Sequence, residues 1–397
     1  YSSIKEGDKM NNRESVLLLL LLIASFVFGL EAIASEQLAV KSNLDIKDRF
    51  FISNNYNLEY DRLESLQQKY AQDVKGIYIN FWTLSHPTKR KKIIKAINNS
   101  SLNAIVIDLK DINGYTPFVS SPLKKLSYNL DRQELKKIIS NWQKKGIYVI
   151  GRVAVFKDEA SAQADSNNAL KYIISTEGKW SIIDSTKWTN PYSENVWDYN
   201  IGIAQEMAQL GLDEIQFDYI RFPTLSNNSK LVIRAHPKLS RVEAIVGFLK
   251  KAVQNLQKYN VIISADLFGL TTTASDDLGI GQDIRKIAAE VDYISPMLYP
   301  SHYGRGIYGI KNPAVDPYQV ISNSLADARE KLGPNAKKLR PWLQDFSIYH
   351  VYTKKEIKAQ IKAVQDEKLS SWLLWNPQSI YTFEALMPER KEIHNES

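Results

Sequence analysis

Short β-branched runs alternate with helix-period segments along most of the chain. From residue 74 onward the same order recurs eight times: an apolar run, a polar or glycine-rich loop, and a segment with the spacing of an amphipathic helix. The eight apolar runs are 74–80, 103–109, 147–155, 213–219, 261–268, 291–298, 339–346 and 370–375. Strands alternating with helices predict a parallel sheet, and eight such units close a (β/α)8 TIM barrel, an α/β fold of a single domain.

The helix-period segments carry start signals of their own. We predict helices over 88–98, 132–145, 193–210, 240–259, 284–290, 317–332 and 353–367. Ser240 and Thr353 are each followed three residues later by a glutamate, which is the pattern of a capping box. Ser193 stands at a third N-cap position. The residues at these boundaries therefore support the helices that the spacing of apolar residues predicts.

The two ends of the chain differ from the repeating part. Residues 16–30 form an apolar run followed by small residues, so we expect residues 1–34 to be a signal peptide cleaved after Ala34, with residues 1–9 upstream of its start. An uncleaved membrane anchor is the alternative, and either reading gives the barrel an extracytoplasmic location, secreted or periplasmic. The remaining segments are a linker and leading helix at 35–73, the barrel at 74–385 and a charged tail at 386–397.

Two of the connections are longer than a bare barrel needs. They follow the third and sixth strands, at residues 157–192 and 300–316, and both are rich in aromatic residues, glycine and asparagine. Both leave the C-terminal ends of their strands, which is the face where barrels carry their active sites. We therefore expect both connections to be binding loops.

Side-chain alternation predicts a group of acidic residues at this same face. In the run 213–219 the apolar positions, ending with Tyr219, should face the helices, which turns Asp218 toward the barrel interior. The same alternation turns Asp108 and Asp266 inward from the second and fifth strands, and the seventh strand ends in Asp345. Carboxylates that meet at one mouth repel each other, which should raise at least one pKa, as a general acid at neutral pH requires.

We take Asp218 as the essential catalytic residue and leave its partner open between Asp266 and Asp345. Two arginines, Arg152 and Arg221, lie where either is able to pair with Asp218 and keep it ionised. A plain salt bridge without catalytic consequence accounts equally well for either arginine.

Aromatic residues follow many of the strand ends. Their flat apolar faces suit pyranose rings, and hydrolysis of a glycosidic bond requires a pair of carboxyl groups. The candidate substrate-binding residues are Asp108, Trp82, Arg152, Arg221, Tyr299, His302, Trp375 and Asn376. We interpret Trp342 and Trp372 as structural. The combination indicates a hydrolase of glycosidic bonds, and a non-catalytic barrel that binds glycan or assists envelope assembly is the alternative.

The composition excludes several other classes. The chain has no cysteine, which excludes disulfide scaffolds and thiolate metal sites. Its five histidines form no HxH or HExxH pattern, so we expect no metal and no cofactor. The net charge of +7 comes from lysines spread over helices, without any nucleic-acid-binding motif. We therefore expect a polysaccharide or oligosaccharide as partner rather than a nucleic acid.

Several stretches, taken in order, resemble one bacterial family. They are KGIYIN (75–80), LNAIVIDLKD (102–111), GRVAVFKDE (151–159), DEIQFDYIRFP (213–223), ADLFGLTT (265–272), GIGQ (279–282), VDYISPMLYPSHY (291–303) and RPWLQDF (340–346). Together they are similar to a family of glycosyl hydrolase domains of unknown function that is assigned to the TIM-barrel glycosidases. The resemblance covers roughly residues 74–377 and implies a barrel with a sugar-directed activity, but it supplies no catalytic residues.

A second similarity concerns positions only. Alpha-amylase-like barrels carry an aspartate nucleophile at the end of strand 4, a glutamate acid/base after strand 5 and a further aspartate after strand 7. Asp218, Asp266 and Asp345 stand at those strand ends here, with Asp266 in place of the glutamate. Other barrel glycosidases use strand 4 for the acid and strand 7 for the nucleophile, which would make Asp345 the partner of Asp218.

Overall fold

The computed structural model describes residues 73–116, 130–176, 178–224, 231–234, 236 and 238–388. The predicted signal peptide at 1–34 lies outside the described residues. So do the leading segment as far as residue 72 and the tail from residue 389 onward. No helix within the described ranges is long and apolar enough to cross a membrane.

Eight of the described strands close into a barrel of parallel strands. The strands are β1 (Lys75–Ile79), β2 (Ala104–Lys110), β3 (Tyr148–Ala154), β4 (Ala169–Thr176), β5 (Lys179–Thr189), β6 (Glu214–Asp218), β7 (Leu231–Ile233), β8 (Ile262–Phe268), β9 (Tyr293–Leu298), β10 (Trp342–Gln344) and β11 (Trp372–Trp375). The closed order is β1-β11-β10-β9-β8-β6-β3-β2, and β2 pairs with β1 to complete the ring. The chain is therefore a (β/α)8 TIM barrel, as predicted.

Helices follow the barrel strands along the chain. They are α1 (Phe81–Ser85), α2 (Pro87–Asn98), α3 (Arg132–Gln143), α4 (Glu159–Ala164), α5 (Glu194–Ala208), α6 (Arg241–Leu256), α7 (Ile284–Glu290), α8 (Pro317–Leu332) and α9 (Lys354–Asp366). Both predicted capping boxes are present, at Ser240 and at Thr353. Ser193 is the N-cap of α5, but its side chain makes no capping hydrogen bond.

Alternating side chains divide the buried apolar residues between two clusters. The larger cluster lies between strands and helices and includes Ile215, Phe217 and Leu267. The smaller one fills the barrel interior and includes Val106 and Ile150. The predicted directions of the side chains on β2, β6 and β8 are thus confirmed within the strands themselves.

A buried ion pair crosses the lower part of the barrel interior. Glu214 at the start of β6 pairs with Arg340, and both side chains are fully buried. Glu214 also accepts hydrogen bonds from the hydroxyl of Ser264 and, at 3.1 Å, from that of Tyr148. This polar layer connects β3, β6 and β8 to Arg340, which lies two residues before β10, and it leaves the mouth above it for other side chains.

The long connection after β3 contains regular structure that the sequence pattern did not predict. It includes α4 and the antiparallel hairpin of β4 and β5, in which Tyr172 lies opposite Ile183. Strand β4 also pairs with β7, from the connection after β6, where Ile173 lies opposite Val232. Two connections at the C-terminal face therefore share a three-stranded sheet outside the barrel.

Candidate active site

A cavity of about 260 Å³ opens at the C-terminal ends of the barrel strands. The predicted site residues that line it are Arg152, Asp218, Arg221, Asp266, Tyr299, His302 and Trp375. They come from the ends of β3, β6, β8, β9 and β11 or from the residues directly after them. Closure of the barrel is what brings residues so distant in sequence to one cavity.

A hydrogen-bonded network centred on Arg152 forms one wall. The Nε and Nη2 of Arg152 donate to Oδ2 of Asp218 at 2.9 and 2.6 Å, and its Nη1 donates to Oδ1 of Asp108 at 2.5 Å. The hydroxyl of Tyr78 donates to the other oxygen of Asp108 at 2.5 Å. All four side chains are buried, so a single guanidinium faces two carboxylates in a nearly dry environment.

The backbone turns sharply directly after Asp218. Tyr219 has a φ of 52°, in the left-handed region, and its N–H donates to Oδ1 of Asp218 at 2.5 Å. This turn sends the Tyr219 ring into the cavity instead of toward the helices. The prediction that Tyr219 faces outward was therefore wrong, because strand alternation ends where β6 ends.

Asp266 occupies a different environment from Asp218. Its Oδ1 accepts a hydrogen bond from the indole N–H of Trp342 at 2.7 Å, and within the described residues no lysine or arginine pairs with it. Burial raises the pKa of Asp266 well above its usual range, the negative charge of Asp218 raises it further, and Arg152 opposes both effects. The environment of this side chain therefore shifts its equilibrium toward the protonated form.

Aromatic rings line much of the rest of the cavity. The ring of Trp375 stacks on Tyr78 with centroids 4.1 Å apart and meets Trp342 edge-on at 5.5 Å. Tyr299 meets His302 edge-on at 5.3 Å, and burial lowers the pKa of His302, which favours the neutral imidazole. Flat apolar faces therefore lie within the same cavity as the carboxyl groups.

The sequence over residues 76–381 matches the family described as "Putative glycosyl hydrolase domain". This chain belongs to that family. No curated protein matches the chain in sequence. Family membership and the closed barrel together make it a glycosyl hydrolase-type TIM barrel, as the resemblance implied.

Several solved structures are similar to this chain. The PgaB (BpsB) glycoside hydrolase domain from Bordetella bronchiseptica has 10% sequence identity and a TM-score of 0.58, with 77% of this chain and 94% of that chain covered. A class V chitinase from Pseudomonas fluorescens Pf-5 has 12% identity and a TM-score of 0.49, with coverage of 79% and 98%. A hypothetical protein from Ruminiclostridium thermocellum ATCC 27405 has 27% identity and a TM-score of 0.39, with coverage of 51% and 98%.

Two predicted residues of this family member lie away from the cavity. Both carboxylate oxygens of Asp345 accept hydrogen bonds from Thr382, one from the backbone N–H at 2.9 Å and one from the hydroxyl at 2.8 Å. Asn376 donates to the backbone carbonyl of Asp345 at 2.5 Å. The structure therefore does not bring Asp345 to the mouth with Asp218 and Asp266, because it holds the segment that follows β11.

The other predicted residues occupy supporting positions. Arg221 lines the cavity but does not pair with Asp218; its guanidinium carbon lies 5.0 Å from the ring centroid of Trp188, and its Nη1 donates to a backbone carbonyl. Asp108 lies behind Arg152. Trp82 is half exposed and lies outside the deep cavity, on the neighbouring rim.

Sequence reasoning missed two side chains of the site. Trp342, interpreted as purely structural, is the hydrogen-bond donor that holds Asp266. Tyr78 holds Asp108 and supports Trp375. Alternation along β1 turns Tyr78 toward the barrel interior, as it turns Asp108 on β2, and this signal would have identified Tyr78. Among the described residues, no group of three or more acidic or histidine side chains is arranged to hold a metal ion.

Proposed function

We propose that this protein hydrolyses glycosidic bonds in a cell-wall or extracellular polysaccharide, with Asp266 as general acid and Asp218 as the ionised nucleophile or base. The observation that carries the proposal is the contrast between two carboxyl groups in one cavity. Asp218 is paired with a guanidinium, whereas Asp266 is desolvated and has only an indole N–H as donor among the described residues. Carboxyl groups whose environments separate their pKa values divide acid and base roles between them.

The proposed reaction needs both protonation states at once. Asp266 gives its proton to the leaving glycosidic oxygen. Asp218 either takes a proton from the water that attacks the anomeric carbon, or attacks that carbon itself to form a glycosyl ester, which water then hydrolyses while Asp266 takes the proton of that water. Arg152 keeps the Asp218 carboxylate oriented, and the ring of Trp375 offers a face for the sugar. The family description and the glycoside hydrolase domain of PgaB, which shares the fold, support the same reaction class.

A glycan-binding barrel without turnover is the second candidate. It is favoured by the close pairing of Asp218 Oδ2 with two nitrogens of Arg152, which reduces the nucleophilicity of that oxygen. Under this reading the carboxylates serve only to bind hydroxyl groups, and no substrate would release new reducing ends.

The deciding experiment measures reducing-end release from a panel of bacterial wall polymers and exopolysaccharides. We expect Asp218→Asn and Asp266→Asn each to lower turnover by about 10³-fold while glycan binding is retained. Glu214→Gln is the matched control, since Glu214 is a buried, ion-paired carboxylate on the same strand that does not line the cavity. It should lose stability but keep turnover.

Two results would contradict the assignment. If wild type releases no reducing ends from any polymer yet binds one of them, the binding-barrel reading replaces the hydrolase. If Asp345→Asn abolishes turnover and Asp266→Asn does not, the partner of Asp218 has been misassigned, despite the position of Asp345 outside the cavity.

We also propose that this activity is located outside the cytoplasm. A substrate of this kind lies outside the cytoplasm, in agreement with the apolar run at 16–30. Expression of the whole chain in a bacterial host should place the protein in the extracytoplasmic fraction, and N-terminal sequencing should find Ser35 first. Recovery in the cytosol with residues 10–34 intact would contradict export.

A further inference from the structure

The cavity that contains Asp218 continues into a groove across the barrel mouth. A second cavity of about 300 Å³ shares Arg152, Tyr219 and Trp375 with the first and extends to Trp82. A third cavity of about 660 Å³ in turn shares Asn80, Trp82 and Pro377 with the second. The three cavities therefore form one path from the carboxyl groups to the outer end of the groove beside α2. A row of three adjoining cavities fits a polymer better than a single sugar.

The electrostatic character of the groove changes along this path. Lys89 and Lys92 line the third cavity, and none of the described residues that line it is an aspartate or a glutamate. The ammonium of Lys89 lies over one face of the half-exposed Trp82 ring, 3.1 Å from its centroid, so an aromatic side chain and a positive charge occupy the same place. Within the described part of the chain, neither lysine forms an ion pair with a carboxylate. We call Trp82, Lys89 and Lys92 the outer subsite.

Helix α2, which carries both lysines of the outer subsite, is basic at some expense to its own stability. Its sequence, PTKRKKIIKAIN, holds five basic residues and no acidic one. Cations in the first turn of a helix oppose its macrodipole, and like charges three residues apart, such as Lys89 and Lys92, repel each other. An anionic ligand would offset both effects, which gives this arrangement a physical reason that the fold alone does not.

We propose that the outer subsite binds acidic units of a polyanionic polysaccharide, with a sugar ring beside the exposed part of Trp82 and its negative group near Lys89 and Lys92. The rest of the polymer then follows the groove into the cavity of Asp218 and Asp266. Cleavage of the bound polymer would then follow from the proposed hydrolase function, on which this part of the proposal rests. Binding at the outer subsite itself requires no hydrolysis.

Binding of alginate, a carboxylate-rich polysaccharide, tests the charge requirement by calorimetry on the full chain at low salt, with neutral dextran as comparison. We expect alginate to bind and Lys89→Gln/Lys92→Gln to weaken it by about tenfold, as two exposed ion pairs allow. Lys250→Gln/Lys286→Gln is the matched control, because it makes the same charge change on exposed positions of α6 and α7. Equal weakening by both pairs, or equal binding of dextran and alginate by wild type, would overturn the proposal.

A second pair of variants tests the aromatic part of the outer subsite. We expect Trp82→Ala to weaken alginate binding by about fivefold or more, whereas Trp180→Ala, on an exposed ring of β5, leaves it unchanged. The reverse order would overturn the assignment. If alginate binds as expected but no glycan is hydrolysed, the proposed enzymatic function fails and the outer subsite stands. If polymers are hydrolysed but alginate does not bind, the outer subsite fails alone.

Discussion

Arg152 determines the electrostatics of the site because it is the shared partner of two buried carboxylates from different strands. Asp108 on β2 and Asp218 on β6 both accept hydrogen bonds from its guanidinium. Removal of one partner from a buried ion pair leaves an uncompensated charge, which costs far more than the pair itself contributes. At the scale of single residues, the site is therefore sensitive to this one side chain.

The first prediction concerns Arg152→Met. We expect the free energy of unfolding to fall by about 3–5 kcal/mol, since two carboxylates would remain buried without a cation. Arg221→Met is the control, because Arg221 lines the same cavity without pairing with a carboxylate in the described residues. Urea denaturation of both variants measures the difference. Similar losses for the two would show that the stability does not depend on the ion pairs.

The second prediction concerns the pH dependence caused by Asp266. Because its folded-state pKa is raised, mainly by burial, the folded protein holds a proton that the unfolded chain has released. The contribution of this group to stability is therefore complete below the ordinary aspartate pKa of about 3.9 and is lost as pH rises through the raised pKa. Asp266→Asn removes this penalty, so it should be more stable than wild type at neutral pH.

Thermal unfolding from pH 4 to pH 8 tests this sign. The difference in Tm between Asp266→Asn and wild type should grow with pH and nearly vanish at the acid end. A difference that stays constant with pH would mean that Asp266 keeps an ordinary pKa. It would also remove the basis for its role as general acid.

Individual residues also show where sequence reasoning stops. The direction of Asp218 followed from alternation along β6, in which Ile215 and Phe217 pack toward the helices while Glu214 and Asp218 pair with arginines inside the barrel. The direction of Tyr219 did not follow in this way, because the spacing of apolar residues does not reveal a left-handed backbone conformation. Asp345 lies one residue beyond β10, a strand of only three residues, so parity gave no valid direction for its side chain. Alternation is informative inside a strand and loses its meaning one residue after it.

Among the elements, the helix boundaries could be predicted because their signals are local. Ser240 accepts a hydrogen bond from the backbone N–H of Glu243, and the glutamate side chain accepts one from Ser240, as the spacing of the two residues implied. Ser193 has the same residue type at an N-cap but makes no such bond. The hairpin of β4 and β5 was missed because its strand β5 is largely exposed and lacks a buried apolar face.

The third prediction uses these two serines. Ser240→Ala should lower the free energy of unfolding by about 1 kcal/mol, since it removes the cap of a long helix. Ser193→Ala should change it by less than about half that amount, because no capping bond is lost. Urea denaturation measures both. A larger loss at Ser193 would contradict the geometry described for α5.

At the scale of the whole barrel, two buried charged layers cross the interior. The lower one joins Glu214 and Arg340, and the upper one joins Asp108, Arg152 and Asp218. The closed strand order could be predicted from eight repeated units, but the pairing inside it could not. Which cation faces which carboxylate depends on the stagger of strands that meet only in the folded barrel.

The fourth prediction separates the lower layer from the active site. Arg340→Met should lower the free energy of unfolding by about 3–5 kcal/mol, because Glu214 would remain charged and buried. The double variant Arg340→Met/Glu214→Gln should recover much of this loss, since neither charge remains. A double-mutant cycle by urea denaturation measures the coupling. Additive losses would show that the two residues stabilise the barrel independently.

The three-stranded sheet beside the barrel links two connections that belong to different βα units. Because β4 is hydrogen-bonded to β7 along Tyr172, Ile173 and Ile174, neither connection is able to change its length or course without affecting the other. Natural variation in this family should therefore alter the two connections in concert. Transfer of the connections after β3 and β6 to a related barrel would therefore require both segments to be moved together.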